Sequence, residues 1–285
     1  MRACLLPLLA TLLFATFSSC NQTGSPASSP RRDDESVLGV LYQQKAAEYR
    51  ALCFQAYNLA RKRIEEAKAN KKYKGRRFAV ITDLDETILD NSASSAWVYL
   101  HDSTSTFDFL KQWWTRGIAD SVPGSVSFFN FAYSDSVDIY YISNRTNSSV
   151  YLQAAMRNMH DLGFPYTSPG DEGHFLFLDS TAANSSKEGR RKWVEAKDSV
   201  ILLLGDNLID LDAAFDGQPM DVRRREVDRL RDSFGARYII FPNAIYGDWE
   251  SALYRNFPGS PSLSQKDSIR AAMLDTTEID PKGHW

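Results

Sequence analysis

Cysteine is scarce in this chain: Cys4, Cys20 and Cys53 are the only three among 285 residues. Thiols so widely separated supply neither a C-x-x-C metal pair nor a disulfide framework. Histidine is scarce too. His101, His160, His174 and His284 show no metal-ligand spacing, and no Arg-His-Gly string is present to make one of them a nucleophile. The chain also lacks Gly-x-Ser-x-Gly and the Gly-rich P-loop, which excludes the serine-elbow hydrolases and the P-loop NTPases. Excess charge of one sign is missing. Lys and Arg number 33 against 36 Asp and Glu, for a formal net charge of −3, so a nucleic acid polymer is not an expected partner. Internal repeats are absent.

What is present begins with a targeting signal over residues 1–19. Arg2 precedes an apolar run from Leu5 to Phe17 that is too short to span a bilayer but suits a signal-peptide core. Ser18-Ser19-Cys20 resembles a bacterial lipobox, in which Cys20 becomes the lipid-modified first residue; Phe17 departs from the usual Leu three places before that Cys. An ordinary secretory signal and a buried N-terminal helix are the alternatives. Acyl chains on Cys20 would anchor the chain to a membrane. The expected location is the bacterial cell envelope, at the outer membrane, on its periplasmic or surface face. Residues 20–35, rich in Ser, Pro, Gly and charge, read as a flexible tether.

A long helical pattern starts at Ser36. It carries Leu38, Leu41, Tyr49, Leu52, Ala56 and Ile64 at three- and four-residue steps, and ends among Lys68, Lys71, Lys72 and Lys74. Cys53 falls among its apolar positions and reads as core packing. Five apolar, β-branched or aromatic runs follow: Phe78–Thr82, Val137–Ile142, Phe175–Leu178, Val200–Leu204 and Tyr238–Phe241. Helical patterns over Phe107–Arg116, Val126–Tyr133, Ser148–Leu162, Lys187–Ala196 and Val222–Phe234 separate them. Strands alternating with helices predict an α/β fold with a parallel sheet covered on both faces. The Trp-rich stretch 91–124 does not read as another strand-helix unit. It is expected to form a small helical cap with elements from 36–74. Residues 259–285 read as a polar tail, and 216–231 as one exposed, charged helix face.

In such sheets chemistry gathers at the carboxyl ends of the strands. The first run ends at Asp83 and Asp85, the second at Ser143-Asn144-Arg145, and the fourth at Gly205-Asp206-Asn207-Leu208-Ile209-Asp210. Two carboxylates one residue apart raise each other's pKa unless a cation or a proton sits between them, so Asp83-x-Asp85 implies a metal, a shared proton, or both. Three carboxylates around one cavity suit a hard divalent cation, most naturally Mg²⁺. A hydroxyl (Ser143), a backbone amide and Lys187 are the donors that hold phosphoryl oxygens as charge builds. One Asp is then free to attack phosphorus and another to move protons, provided its neighbours raise its pKa. Arg190, Arg191 and Lys192 lie close to Lys187, and any cation in that turn is a candidate to face phosphate. Asp212 reads as surface.

Asp83-x-Asp85-x-Thr87, Ser143, Lys187 and Gly205-Asp206-x-x-x-Asp210 resemble the four motifs of the haloacid dehalogenase superfamily. The longer string from Asp83 to Asn91, with Gly205–Asp210, is similar to the class C bacterial acid phosphatases, secreted lipoproteins of 5′-nucleotidase type. Val122-Pro123-Gly124, Ser143-Asn144-Arg145 and the stretch from Pro242 to Glu250 add to the likeness, which spans about residues 37 to 255. The resemblance implies a Rossmann-like sheet with a small cap, in a phosphatase domain over 36–258. It implies Asp83 as nucleophile, Asp85 as general acid and base, and Mg²⁺ held by Asp83, the Asp85 carbonyl and Asp206. Asp210 would support that shell or Lys187. Ser143, Asn144 and Lys187 would hold the phosphoryl group, and Thr87 would orient Asp85 by a hydrogen bond. Members of the family often stack a substrate ring between aromatics; Tyr246 matches that motif, and Trp97 and Trp113 are the other candidates. Leu211 stands where Phe is more usual. The implied activity is Mg²⁺-dependent hydrolysis of small phosphomonoesters such as 5′-nucleotides. The rival readings are a non-enzymatic surface lipoprotein that binds haem or nucleotide, and a phosphotransferase on the same scaffold.

Overall fold

A computed structural model describes residues 36–70, 75–101, 103 and 105–274. The signal, the tether, Cys20 and Lys71, Lys72 and Lys74 lie outside the described residues. In chain order the elements are α1 (Val37–Lys45), α2 (Ala47–Ala69), β1 (Phe78–Thr82), β2 (Leu89–Asp90), α3 (Ser92–Leu100), α4 (Phe107–Arg116), β3 (Asp120–Ser121), α5 (Ser125–Ser134) and β4 (Val137–Thr146). There follow α6 (Ser149–Leu162), β5 (Phe175–Leu178), α7 (Glu188–Glu195), β6 (Ser199–Gly205), α8 (Leu208–Leu211), α9 (Met220–Arg229), β7 (Tyr238–Ile240), α10 (Asp248–Leu253) and α11 (Leu263–Ala272).

The five predicted apolar runs form one parallel sheet of order β5-β4-β1-β6-β7. Alternation along each strand divides the core into two layers. Phe78 and Val80 of β1 pack with Ile139, Tyr141 and Leu202 on one face; Ala79 and Ile81 pack with Tyr140, Ile142 and Leu203 on the other. Because both faces are covered, the strands read as nearly continuous apolar runs rather than alternating ones. β1 is central. The chain builds outward to β4 and β5 on one side and then returns to β6 and β7 on the other, so the ends of β4, β1 and β6 lie side by side.

Four boundaries differ from expectation. The N-terminal helix breaks at Ala46, whose backbone is extended (φ −71°, ψ 129°). α2 buries Tyr49, Cys53, Tyr57, Ala60 and Ile64 against the sheet, while α1 packs on α3. β4 runs on through Ser143, Asn144 and Arg145 to Thr146, because its pairing with β5 continues beyond Ile142. Residues 91–124 hold α3 and α4 plus an antiparallel ribbon of β2 with β3. The expected tail contains a helix, α11, started by a capping box between Ser262 and Gln265 and fastened by Arg270 to Glu250.

The charged stretch 216–231 is not uniformly exposed. Arg223 of α9 is buried, donates to the Phe215 carbonyl at 3.2 Å, and faces Asp248 at 3.7 Å. Asp212 is likewise structural: it caps the turn at Ala214 and accepts the Tyr238 hydroxyl at 2.8 Å.

Candidate active site

Two adjacent strand ends, those of β1 and β6, bring the predicted acids together. Asp83 leaves β1 with its amide still bonded to the Leu204 carbonyl of β6, which fixes the two loops side by side. Carboxylate oxygens of Asp83, Asp206 and Asp210 lie within 4.8 Å of one another. The spacing of the last two has a local cause. Asp210 is the third residue of α8 and accepts the Asn207 amide at 3.0 Å in a capping box, so the turn itself points the carboxylate back toward β6. Gly205 makes room for it, since a Cβ there would overlap the Asp210 side chain.

Lys187 is the cation that reaches these acids. Its buried ammonium pairs with Asp83 and, at 2.7 Å, with Asp210. Its three basic neighbours are otherwise engaged. Arg190 donates to the Ser143 carbonyl and the Asn144 Oδ1, both at 2.6 Å. Arg191 holds the Ile209 and Asp210 carbonyls, and Lys192 pairs with Glu188 on the surface. Ser143 is buried at the β4 end, and its hydroxyl accepts the Arg145 amide at 3.1 Å.

Electrostatics separate the acids. Burial, against the pull of Lys187 and with Asp210 and Asp85 adding, pushes the Asp83 carboxyl up to about 7. Burial also lifts Asp206 well above the ordinary carboxylate range, helped by Asp210 and Asp83. Burial would raise Asp85 too, but the Arg145 charge and its hydrogen bonds outweigh it and hold Asp85 below the usual value. For Lys187, burial would depress the ammonium, yet Asp210 and Asp83 hold it above the ordinary lysine value.

A set of hard oxygen donors this close, two of them raised above the ordinary carboxylate range by burial and by their neighbours, has the chemistry of a divalent-cation site. The residues present fit such an ion.

One expected partnership differs in the structure. Thr87 does not bond Asp85; its hydroxyl donates to Asp206 Oδ1 at 3.1 Å. The chain turns at Glu86, which has a left-handed φ of 58°, and the Thr87 carbonyl is tied to the Tyr57 hydroxyl at 2.6 Å. Thr87 therefore lies against the β6 loop. Asp85 is instead held by Arg145, whose Nε and Nη2 donate at 3.0 and 2.6 Å, and by Asn91 Nδ2 at 2.8 Å.

Of the aromatic candidates, Trp97 and Trp113 lie on α3 and α4, and Tyr246 lies on the loop after β7. Tyr246 is partly exposed and donates its hydroxyl to Glu86 Oε1 at 3.0 Å. Trp97 stacks on His101 and Phe109, with centroids 4.3 and 5.3 Å away. Trp113 donates its indole N–H to Asn91 Oδ1 at 2.8 Å.

Several residues at the site had no role in the sequence reading. Arg145 stood in a noted string, and its i, i+2 relation to Ser143 on β4 was the available signal. Asn91 and Asn243 also lay in noted strings; Asn243 donates to Asp206 Oδ2 at 2.9 Å. Gln43 of α1 gave none. It is buried and donates to Glu86 at 2.9 Å and Asp90 at 2.8 Å, joining the N-terminal helix to the catalytic loop.

Comparison with known proteins decides the family. The profile described as HAD superfamily, subfamily IIIB (Acid phosphatase) matches residues 21–249. The chain belongs to this acid phosphatase family. The structure of the class C acid phosphatase from Bacillus anthracis is similar at 34% identity and a TM-score of 0.78, covering 87% of this chain and 100% of that one. A second structure of the Bacillus anthracis class C enzyme, with tungstate bound, gives 34% identity and a TM-score of 0.77, over 86% of this chain and 99% of that one. This acid phosphatase is thus a phosphomonoesterase with a parallel HAD-like sheet, and its Asp83, Asp206 and Asp210 form a cluster able to hold a divalent metal.

Proposed function

We propose that the protein is a Mg²⁺-dependent phosphatase of small phosphomonoesters, 5′-nucleotides among them, that works through an aspartyl-phosphate on Asp83. The observation that carries this reading is the convergence of Asp83, Asp206 and Asp210 on Lys187, beside an Asp85 gripped separately by Arg145. That arrangement supplies two carboxylates in different environments, Asp83 raised by burial and Asp85 lowered by Arg145, so the acid role of Asp85 depends on a proton gained in the substrate complex. Tungstate is a tetrahedral oxyanion like phosphate, and its presence in the Bacillus anthracis structure favours the same chemistry here.

Asp83 Oδ attacks phosphorus in line. The bond to the leaving oxygen breaks with its electron pair, and Asp85 delivers a proton to that oxygen; Arg145 holds Asp85 as the carboxylate in the free protein, so Asp85 first takes that proton from the phosphate monoanion of the bound substrate. Water then attacks the phosphorylated Asp83, giving its proton to Asp85, and phosphate departs with Asp83 restored. Lys187 and Ser143 hold the phosphoryl oxygens, with the Asn144 region fixed by Arg190. Asp83, the Asp85 carbonyl and Asp206 would hold Mg²⁺, with Asp210 supporting Lys187; the ion would add positive charge against the phosphoryl oxygens. Monoester hydrolysis needs on the order of 20 kcal/mol of barrier reduction. Tyr246 on the loop after β7, and Trp97 on the cap, are placed in this reading against the substrate's organic part.

The same reading puts the enzyme at the bacterial outer membrane, anchored through acylated Cys20, where exported nucleotides would meet it. Mass analysis of the N-terminal peptide from a bacterial host checks the anchor: an unmodified Cys20 would overturn it. The catalytic reading is tested by phosphate release from a nucleotide panel, with Mg²⁺ or chelator, for wild type and Asp83→Asn. Turnover untouched by both treatments would refute it.

A further inference from the structure

We infer that Trp113 and Asn91 are positioning residues for Asp85, linking the cap helix α4 to the group that moves protons. The inference rests on the reading of Asp85 as general acid.

An asparagine amide has a donor end and an acceptor end, and nothing in its shape distinguishes them. The ionised Asp85 carboxylate has no donor of its own and is served only by the donor end. Here Asn91 Nδ2 donates to Asp85 Oδ1 at 2.8 Å, while Asn91 Oδ1 faces the Trp113 indole at 2.8 Å. An indole nitrogen donates and never accepts, so it bonds only the oxygen end of the amide. Trp113 therefore holds the oxygen end of Asn91 while Asp85 and the Leu89 carbonyl, 3.5 Å from Nδ2, take the donor end. Without that N–H the oxygen end loses its partner, and the amide is held at its donor end alone.

The rest of Asn91 is immobilised. Its amide N–H donates to Glu86 Oε2 at 3.2 Å, and its carbonyl accepts the Ser94 hydroxyl and amide, both at 2.8 Å. The amide plane is thus the part left for Trp113 to orient. α4 is itself fixed at both ends. Thr106 caps Phe109 at 3.1 Å, and Gly117 closes the helix in the left-handed conformation (φ 60°). The partly buried Trp113 ring packs against the main core cluster, so its register is set by packing. Arg145 completes the grip on Asp85 and lies 5.6 Å from the neighbouring Trp114 ring. Two consecutive cap tryptophans therefore flank the hydrogen-bond shell of one carboxylate.

A general acid matters most when the leaving oxygen is a poor one, so the substrate pair reads the relay directly. The experiment compares glycerol phosphate, an alkyl ester, with p-nitrophenyl phosphate, whose leaving group departs without a proton. Trp113→Phe keeps the ring and removes the donor. It is expected to lower kcat for glycerol phosphate about tenfold and for p-nitrophenyl phosphate by no more than about twofold, with little change in KM. Asn91→Ala should show the same selective loss, and the double variant should be no worse than Asn91→Ala, because both act along one path. Equal losses on the two substrates, additive losses in the double variant, or a rise in KM confined to ring-bearing substrates would overturn the inference. Turnover of p-nitrophenyl phosphate reports folding; if Trp113→Phe does not fold, the Asn91→Ala pair of rates decides. A wild type that hydrolyses neither ester would instead overturn the phosphatase reading itself.

Discussion

Arg145 grips Asp85 through two parallel hydrogen bonds, Nε to Oδ2 at 3.0 Å and Nη2 to Oδ1 at 2.6 Å. The Arg side chain is 2% exposed and the Asp side chain 21%, so the pair is shielded from solvent on the Arg side. A guanidinium fork matches a carboxylate in a way an ammonium does not.

Removing the fork leaves a largely buried carboxylate with the Asn91 amide as its remaining hydrogen-bond partner. Arg145→Met is expected to cost about 3 kcal/mol of stability at neutral pH, measured by urea unfolding of the metal-free protein. Asp85 is held below its unfolded value in the wild type, so its contribution is present above that value and is lost as pH falls through the folded one. The gap between wild type and variant should therefore hold down to the ordinary Asp value of 3.8 and shrink below it. A gap constant with pH would show that Arg145 stabilises through packing alone.

Cation affinity should depend on pH for a separate reason. In the metal-free protein burial lifts Asp83 to about 7, and Asp206 stands higher than an ordinary carboxylate. A cation must displace those protons, so its affinity rises as pH increases, roughly tenfold per unit for each proton released. Mg²⁺ titrations at pH 6 and 8 by calorimetry, in buffers of different ionisation enthalpy, measure both the affinity and the proton release. Equal affinities at the two values would contradict the assignment of these acids.

The Gly205 position allows a test that leaves every charged group in place. A methyl there would overlap Asp210 and push it away from Lys187. Gly205→Ala is expected to lower stability by about 1–3 kcal/mol and to cut activity at least tenfold. Near-wild-type kcat in a folded Gly205→Ala protein would mean that the place of Asp210 is not critical.

The sheet and its acids were legible because each leaves a mark within a few residues of itself. Strands covered on both faces read as apolar runs, and Asp83-x-Asp85 and Asp206-x-x-x-Asp210 are local spacings produced by a strand end and a capped turn. Lys187 was legible as one of four neighbouring cations; only packing shows that Arg190, Arg191 and Lys192 are turned to carbonyls or solvent. The partners of Asp85 were not legible. Arg145 lies 60 positions away, and Asn91 faces Asp85 with its other end held by Trp113, 22 positions further on. Gln43 reaches the catalytic loop across 43 positions, from a helix whose pattern advertises only its apolar side. Polar partnerships between distant segments depend on side-chain direction, which residue type and period do not encode. Thr87 is the same lesson within a motif, since one left-handed residue sent its hydroxyl to Asp206 instead of Asp85.

The central claim is that Asp83 carries the phosphoryl group. Acid-quenching the Asp85→Asn protein during turnover of p-nitrophenyl phosphate, then mapping peptides by mass spectrometry, tests it directly. Slowed release of the intermediate should leave the peptide containing β1 and its loop heavier by one phosphoryl group, with the modification on Asp83 and absent from Asp83→Asn. Continued turnover with no phosphorylated Asp83 at any quench time, and with Asp83→Asn still active, would contradict the account.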